Sequence, residues 1–115
     1  MERAVPVLPA DDLSAARHFY VDKLGFRVTF EHGDGKAGIM GVERGTITLT
    51  IDAPMPGHGR QACVALHVED ADGYYREWRE KVEIEQPPRD EHWGARTFSV
   101  QDPSDNTIFV IGPTT

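Results

Sequence analysis

The chain has 115 residues, with 19 acidic and 12 basic side chains, so its formal net charge is −7 at neutral pH. That length supplies one domain with a real core and no more, and the acidic balance disfavours nucleic acid, whose binding needs basic patches. A single cysteine excludes an internal disulfide, and no apolar run approaches the length of a membrane span or has the form of a signal peptide. We therefore expect a single domain over residues 1–115, located in the cytoplasm, with no nucleic-acid or membrane partner.

The first half of the chain predicts one strand, one helix and three further strands. An apolar run over residues 4–8 is interrupted by Pro6 and predicts an edge strand, because proline cannot donate a hydrogen bond to a sheet. Asp11 or Asp12 then caps a helix over residues 13–24, in which apolar side chains recur at helical spacing. The alternating segments that follow predict strands over residues 26–31, 37–43 and 46–52.

The second half repeats this pattern after a linker rich in proline and glycine over residues 54–60. Residues 62–68 predict a strand, and Asp70 or Asp72 caps a helix over residues 71–81. The last two strands are rich in aromatic and β-branched residues and flank an Asp-Pro-Ser-Asp-Asn turn. The three closing strands are predicted over residues 83–86, 97–100 and 107–111.

The two halves form an internal repeat. When Asp12 is placed on Asp70, Val5 falls on Cys63 and each half has the order strand, helix, three strands. One such half cannot bury its sheet alone, so the two copies must pack together. We therefore predict an α+β fold of two βαβββ modules. The modules are predicted over about residues 3–53 and 61–112, joined by the linker.

Two stretches of the chain carry a family resemblance. They are VPVLPADDLSAARHFYVDKLGF and HWGARTFSVQDPSDNTIFV, at residues 5–26 and 92–110. With them the sequence resembles the glyoxalase/bleomycin resistance/dioxygenase superfamily, also called vicinal oxygen chelate. The first strand and the Trp93-Gly94 pair before the Asp-Pro turn look most like its bleomycin-resistance branch. The resemblance implies a curved mixed sheet around a cavity and a homodimer with its cavities at or near the interface. In many members the first strand is exchanged between subunits, and Pro6 and Pro9 are reasonable crossing points.

The metal site of this superfamily is broken in the sequence. Its enzymes hold a divalent metal with His, Gln or Glu side chains, and the metal acts as a Lewis acid on substrate oxygens. By analogy, three of the ligand positions fall on Val5, Cys63 and Phe109, and the strand over residues 47–51 carries no His, Gln or carboxylate. Valine and phenylalanine cannot ligate a metal, and a lone cysteine cannot complete a site with them. We expect no metal and no cofactor, which elemental analysis checks. Whether the chain is an enzyme stays open, with the balance against catalysis.

The cavity is expected to be apolar and aromatic with few polar groups, the usual form of a small-molecule site. Strand alternation puts Cys63, Ala65 and His67 on one face. Cys63 is expected to be a buried apolar filler, and His67 either points into the cavity or faces solvent at its mouth. Trp93 either forms a flat wall for the ligand or covers the edge of the core. The predicted ligand-binding residues are Trp93, Phe109, His67, Ala65, Thr50, Thr48, Val7, Ile111 and Cys63.

Function is predicted from this cavity together with the resemblance. The first hypothesis is metal-independent binding and sequestration of a small molecule, an antibiotic of bleomycin type or another planar or cationic compound, which confers resistance. A rim of acids (Glu31, Glu43, Asp90 and Glu91) suits a cationic ligand, although each is also typical of an ordinary solvated surface. The alternative is a metal-dependent glyoxalase-like lyase, isomerase or dioxygenase. A purely structural or interaction role comes third.

Overall fold

The computed structural model describes residues 2–54 and 61–114 and contains two four-stranded mixed sheets. The first module comprises β1 (Val7–Pro9), α1 (Leu13–Arg17) with a π-helical continuation (His18–Lys23), β2 (Arg27–Gly33), β3 (Gly38–Arg44) and β4 (Ile47–Ala53). The second comprises β5 (Cys63–His67), α2 (Ala71–Trp78), β6 (Arg89–Asp90), β7 (Ala95–Gln101) and β8 (Thr107–Pro113). The predicted α+β class and the βαβββ order of each half are confirmed. Most of the predicted linker, including His58, lies outside the described residues.

The two sheets have the same topology. Their strand orders are β1-β4-β3-β2 and β5-β8-β7-β6, with the first pair parallel and the others antiparallel. In each module the helix covers one face of the sheet, and the buried apolar residues of the strands point toward it. The opposite face of each sheet is left open. No helix among the described residues has the length and apolar character needed to cross a membrane.

Each module begins its helix at an aspartate, as predicted. The Asp12 carboxylate accepts hydrogen bonds from the Ser14 and Ala15 amides at 2.8 and 3.3 Å, and Asp70 accepts one from the Gly73 amide at 3.1 Å. These bonds satisfy amide groups that have no partner within the helix. The hydrogen bonds at Asp12, led by that from the Ser14 hydroxyl, also lower the pKa of its carboxyl group. Of the two candidates that the sequence offered for each helix, Asp12 rather than Asp11 caps the first helix, and Asp70 rather than Asp72 caps the second.

Two predicted strands differ from those observed. The first strand was expected at residues 4–8 but is β1, Val7–Pro9, because backbone pairing with β4 starts where the Thr50 amide donates to the Pro6 carbonyl at 3.0 Å. β1 lies at the edge of the sheet, so the missing amide of Pro9 removes no hydrogen bond between strands. No strand forms over residues 83–86. The third strand from the C-terminus is the two-residue β6, which begins only after the two prolines at positions 87 and 88.

A buried polar junction joins the two modules. The Asp102 carboxylate accepts from the Tyr20 hydroxyl at 2.6 Å and from Asn106 Nδ2 at 2.8 Å. Asn106 Nδ2 also donates to the Pro9 carbonyl at 2.7 Å, and its Oδ1 accepts from the Ala62 amide at 3.0 Å. Burial, followed by the negative charge of Asp102, raises the pKa of Tyr20 well above its ordinary value. The turn between β7 and β8 is thereby tied to β1 and to the first helix.

A second junction joins α2 to the end of the first helix. Arg44 Nη1 donates to the Leu24 carbonyl at 2.7 Å, and Trp78 Nε1 donates to the same carbonyl at 3.1 Å. Arg44 Nη2 also donates to Glu77 at 2.8 Å, and its guanidinium lies 4.7 Å from the centre of the Tyr74 ring. These contacts hold the two modules in one arrangement, which fixes how their open faces are presented.

Candidate functional site

A cavity of about 500 Å³, here called the main hollow, lies on the open face of the second sheet. Its floor is formed by alternate residues of β7 together with Phe109 of β8, which pairs with Ser99. The irregular segment between α2 and β6 supplies one wall. The lining residues are Glu83, Glu85, Gln86, Pro87, Arg89, Glu91, Thr97, Phe98, Ser99, Gln101 and Phe109.

The charges of the main hollow do not balance. Glu91 accepts hydrogen bonds from Arg89 Nε at 3.1 Å and from the Thr97 hydroxyl at 2.9 Å. The bond from Arg89, followed by that from Thr97, lowers the pKa of Glu91 and keeps it ionised. Glu83 and Glu85 make no ion pair with any described residue. Two carboxylates without an ion-pair partner among the described residues therefore border the hollow, an arrangement that attracts a cation.

The main hollow differs from the apolar cavity with few polar groups that the sequence predicts. Carboxylates, an arginine, hydroxyls and amides line it beside the ring of Phe109. The predicted acidic rim also differs. Glu31, Glu43 and Asp90 are paired with Arg17, Arg27 and Arg96 respectively, while Glu91 lines the hollow. Glu83 and Glu85 were not among the residues predicted from the sequence, although their alternation around Ile84 just before the two prolines was an available signal.

The predicted residues of the second sheet share its open face. β5 and β8 pair in register, so that Ala65 lies beside Phe109 and His67 beside Ile111. Cys63 is two residues before Ala65 and lies on the same face, because side chains alternate along a strand. Phe109 lines the main hollow. Cys63 is exposed rather than buried, because the open face of the second sheet carries no covering layer within the described residues.

The predicted residues of the first sheet also share one face. Val7 pairs with Thr50, and Thr48 follows the same alternation, which settles the register of this strand. A separate cavity of about 330 Å³ lies between β4 and β5 and brings Thr48 close to Ala65 and His67. Within the described chain, the structure thus places the predicted site residues at two cavities and on the adjoining open faces, rather than in one pocket.

Trp93 stands in the turn before β7 and is 54% exposed, so it does not cover the core. Gly94 has a φ of +94°, in the left-handed region that favours glycine, and its amide donates to the Glu91 carbonyl at 3.1 Å. Trp93 follows Glu91, which lines the main hollow, by two residues. The side chain of Trp93 itself does not line the hollow.

Phe30 of β2 is an exposed aromatic residue that sequence reasoning missed. It is 41% exposed and lies over Gly41, where an added Cβ atom would come within 2.3 Å of its ring. Phe30, Gly41, Thr50 and Val7 are consecutive cross-strand partners and share one face of the first sheet. A glycine opposite an aromatic residue in a neighbouring strand can indicate an exposed ring. The pairing of Phe30 with Gly41 cannot be recognised, however, until the register of β2 and β3 is known.

No group of three or more metal-binding side chains occurs among residues 2–54 and 61–114. Val5 and Phe109, which take two ligand positions by analogy, offer no donor atom. The donor set that a superfamily metal would need is therefore not supplied at the expected positions.

Comparisons with known proteins cover nearly the whole chain. The family model described as "Glyoxalase/Bleomycin resistance protein/Dioxygenase superfamily" matches residues 4–110. A bleomycin resistance protein of Geobacillus stearothermophilus is 29% identical over 127 aligned positions, which span 94% of each chain.

Two solved structures are similar in both sequence and fold. The bleomycin-binding protein from bleomycin-producing Streptomyces verticillus, complexed with copper(II)-bleomycin, is 31% identical, with coverage of 99% of this chain and 98% of that chain and a TM-score of 0.80. A bleomycin-binding protein complexed with bleomycin is 25% identical, with coverage of 99% and 100% and a TM-score of 0.82.

Proposed function

Because the chain belongs to the glyoxalase/bleomycin resistance protein/dioxygenase superfamily, we propose that it binds and sequesters a planar, cationic antibiotic of bleomycin type and thereby confers resistance. This proposal rests on the main hollow. It offers about 500 Å³, within the range of small-molecule sites, and an aromatic ring beside Glu83 and Glu85, which have no ion-pair partner in the described part of the chain. A flat cation gains both from contact with the ring and from the negative charge.

Sequestration needs binding without a chemical step. Arg89 and Thr97 donate hydrogen bonds to Glu91 and so hold its carboxylate in a fixed position at the wall of the hollow. Within the described chain, no histidine lines the main hollow, and no hydroxyl there is paired with a histidine that would activate it. The metal-dependent lyase, isomerase or dioxygenase of the same superfamily is the weaker candidate, because Val5 and Phe109 stand at its ligand positions.

A homodimer is part of this proposal. The open face of the first sheet carries Val7 and Phe30, which are 42% and 41% exposed in the isolated chain. A second copy would cover this apolar surface and bring the remaining predicted residues of the open faces around the ligand. Light scattering at micromolar concentration is expected to give the mass of a dimer. A monomer mass throughout that range would contradict the dimer and leave the main hollow as a site within one chain.

Trp93 is proposed to form an aromatic wall beside the main hollow. Stacking on an indole contributes on the order of 0.5–1.5 kcal/mol beyond burial, and truncating an aromatic anchor costs about 2 kcal/mol or more. Trp93→Ala is therefore expected to weaken the binding of bleomycin by roughly thirtyfold. Calorimetry is the appropriate measurement, because the mutation removes one of the two tryptophans and Trp78 is buried.

The control for this substitution is the thermal melting curve. Since Trp93 is exposed and lies outside the core, the melting temperature is expected to stay unchanged. Equal binding by the wild type and Trp93→Ala would contradict the placement of the ligand against Trp93. No binding by the wild type would contradict the proposed function itself.

A further inference from the structure

The cavity of about 330 Å³ between β4 and β5 follows from the way the strands pair. β1 pairs only with Thr50, Ile51 and Asp52 of β4, and β5 is an edge strand of the second sheet. Within the described residues, the first part of β4 and the outer edge of β5 therefore have no strand between them. The segment over residues 3–6, which precedes β1, borders this space. The cavity is thus a gap that the fold leaves between its two sheets.

The ionisable groups of this cavity are basic, in contrast to those of the main hollow. The chain has a net charge of −7, and three carboxylates line the main hollow. In the described part of the chain, no carboxylate lines the cavity between β4 and β5. Its ionisable lining residues are Arg3 and His67, and its hydroxyl groups belong to Thr46 and Thr48. All four side chains can donate hydrogen bonds, and a guanidinium group matches the geometry of a carboxylate.

The carboxylates around this cavity do not occupy its basic groups. Neither Arg3 nor His67 makes an ion pair with any described residue. Glu43, on the neighbouring strand β3, pairs with an arginine of β2. Glu2 and Glu69 are close to the two basic residues in sequence, but both are exposed and neither lines the cavity. An anion from outside the chain would therefore meet donors that have no charged partner among the described residues.

Apolar side chains form much of the remaining wall. Ile47 and Val64 are partly buried and pack against the hydrophobic core, and Val5 is half-buried. The cavity volume of about 330 Å³ lies at the lower end of small-molecule sites, and it is many times the roughly 30 Å³ that one water molecule takes up in the liquid. An occupant that uses both the donors and the apolar wall has a small anionic group joined to an apolar body.

We propose that the cavity between β4 and β5 binds a small organic acid, whose carboxylate is held by the guanidinium of Arg3 and by the hydroxyl groups of Thr46 and Thr48. The imidazole of His67 supplies a further donor, and the apolar body of the acid lies against the wall of the cavity. None of these four residues lines the main hollow. The site is therefore independent of the proposed function, and the two cavities select ligands of opposite charge.

Three small probes separate the contributions of charge and apolar contact. Hexanoate carries a carboxylate and an apolar body, hexylammonium carries the same body with the opposite charge, and sulfate carries negative charge without the body. In ¹H–¹⁵N spectra of the whole protein, hexanoate is expected to shift the amides of Thr48 and Ala65 in a saturable way, with a dissociation constant of about 5 mM. Hexylammonium and sulfate are expected to shift these two amides at least about fivefold more weakly at equal concentration.

Arg3→Gln tests the assignment, and Arg76→Gln, at an exposed arginine of α2 outside both cavities, is the matched control. Arg3→Gln is expected to weaken the binding of hexanoate about fivefold, the size of effect typical of an exposed charge pair, and to leave the binding of bleomycin unchanged. Arg76→Gln is expected to change neither.

The outcomes for the organic-acid site and for the proposed function are separate. Equal binding of hexanoate by the wild type and Arg3→Gln, or no binding of hexanoate by the wild type, would overturn the organic-acid site and leave the proposed function standing. Hexylammonium or sulfate acting on Thr48 and Ala65 as strongly as hexanoate would also overturn it. Binding of hexanoate by a protein that does not bind bleomycin would support the organic-acid site and contradict the proposed function.

Discussion

Replacing Asn106 by alanine is expected to lower the free energy of unfolding by about 3 kcal/mol. Asn106 is fully buried, and its amide group bonds to Pro9, Ala62 and Asp102. Alanine would leave these groups unsatisfied in a site closed to water, and each unsatisfied buried group costs about 1–3 kcal/mol before relaxation. Because small domains are stable by only about 5–15 kcal/mol, this is a large fraction of the total.

Urea unfolding measures this loss, and Gln101→Ala provides a control. Gln101 ends β7, just before the same turn, and is also a side-chain amide, but it is exposed and donates one hydrogen bond, to Thr107. Its replacement is expected to cost about 0.5 kcal/mol. A loss below about 1 kcal/mol for Asn106→Ala would contradict the view that this residue joins the modules.

Filling the main hollow is expected to have the largest effect on binding. Ser99 is exposed at the middle of the floor, where it pairs with Phe109. A tyrosine at this position would occupy the space of a ligand ring without entering the core. We expect Ser99→Tyr to weaken the binding of bleomycin on the order of a hundredfold or more, equivalent to about 2.7 kcal/mol.

Glu80→Tyr is the matched control for Ser99→Tyr, because it adds the same side chain at an exposed position outside the hollows described above. Both variants are expected to melt at the temperature of the wild type, and Glu80→Tyr is expected to bind bleomycin normally. Unchanged binding by Ser99→Tyr would show that bleomycin does not bind in the main hollow, and the cavity between β4 and β5 would become the candidate site.

The parts of the fold that depend on local chemistry could be predicted from the sequence. The caps at Asp12 and Asp70 and the alternating strands follow from short-range patterns, and repetition of those patterns gives the two modules. The turn after Asp102 was also predictable, and within it Asp105 adopts the left-handed conformation, which aspartate tolerates.

The parts that depend on pairing between distant residues could not be predicted. Tyr20 bonds to Asp102, which lies 82 residues later in the chain, and no periodicity in the sequence reveals that contact. The position of Phe30 over Gly41 requires the register of β2 and β3. Glu83 and Glu85 belong to an irregular segment, and only the folded arrangement brings them over the second sheet.

The most direct test of the account is calorimetric titration of the wild-type protein with bleomycin, in both its metal-free and its copper(II)-loaded forms, followed by recovery of the compound. We predict a saturable complex with about one site per chain, a dissociation constant of about 1 μM or below, and recovery of the antibiotic without chemical change. No binding up to about 1 mM, or recovery of a chemically altered product, would contradict sequestration in the main hollow.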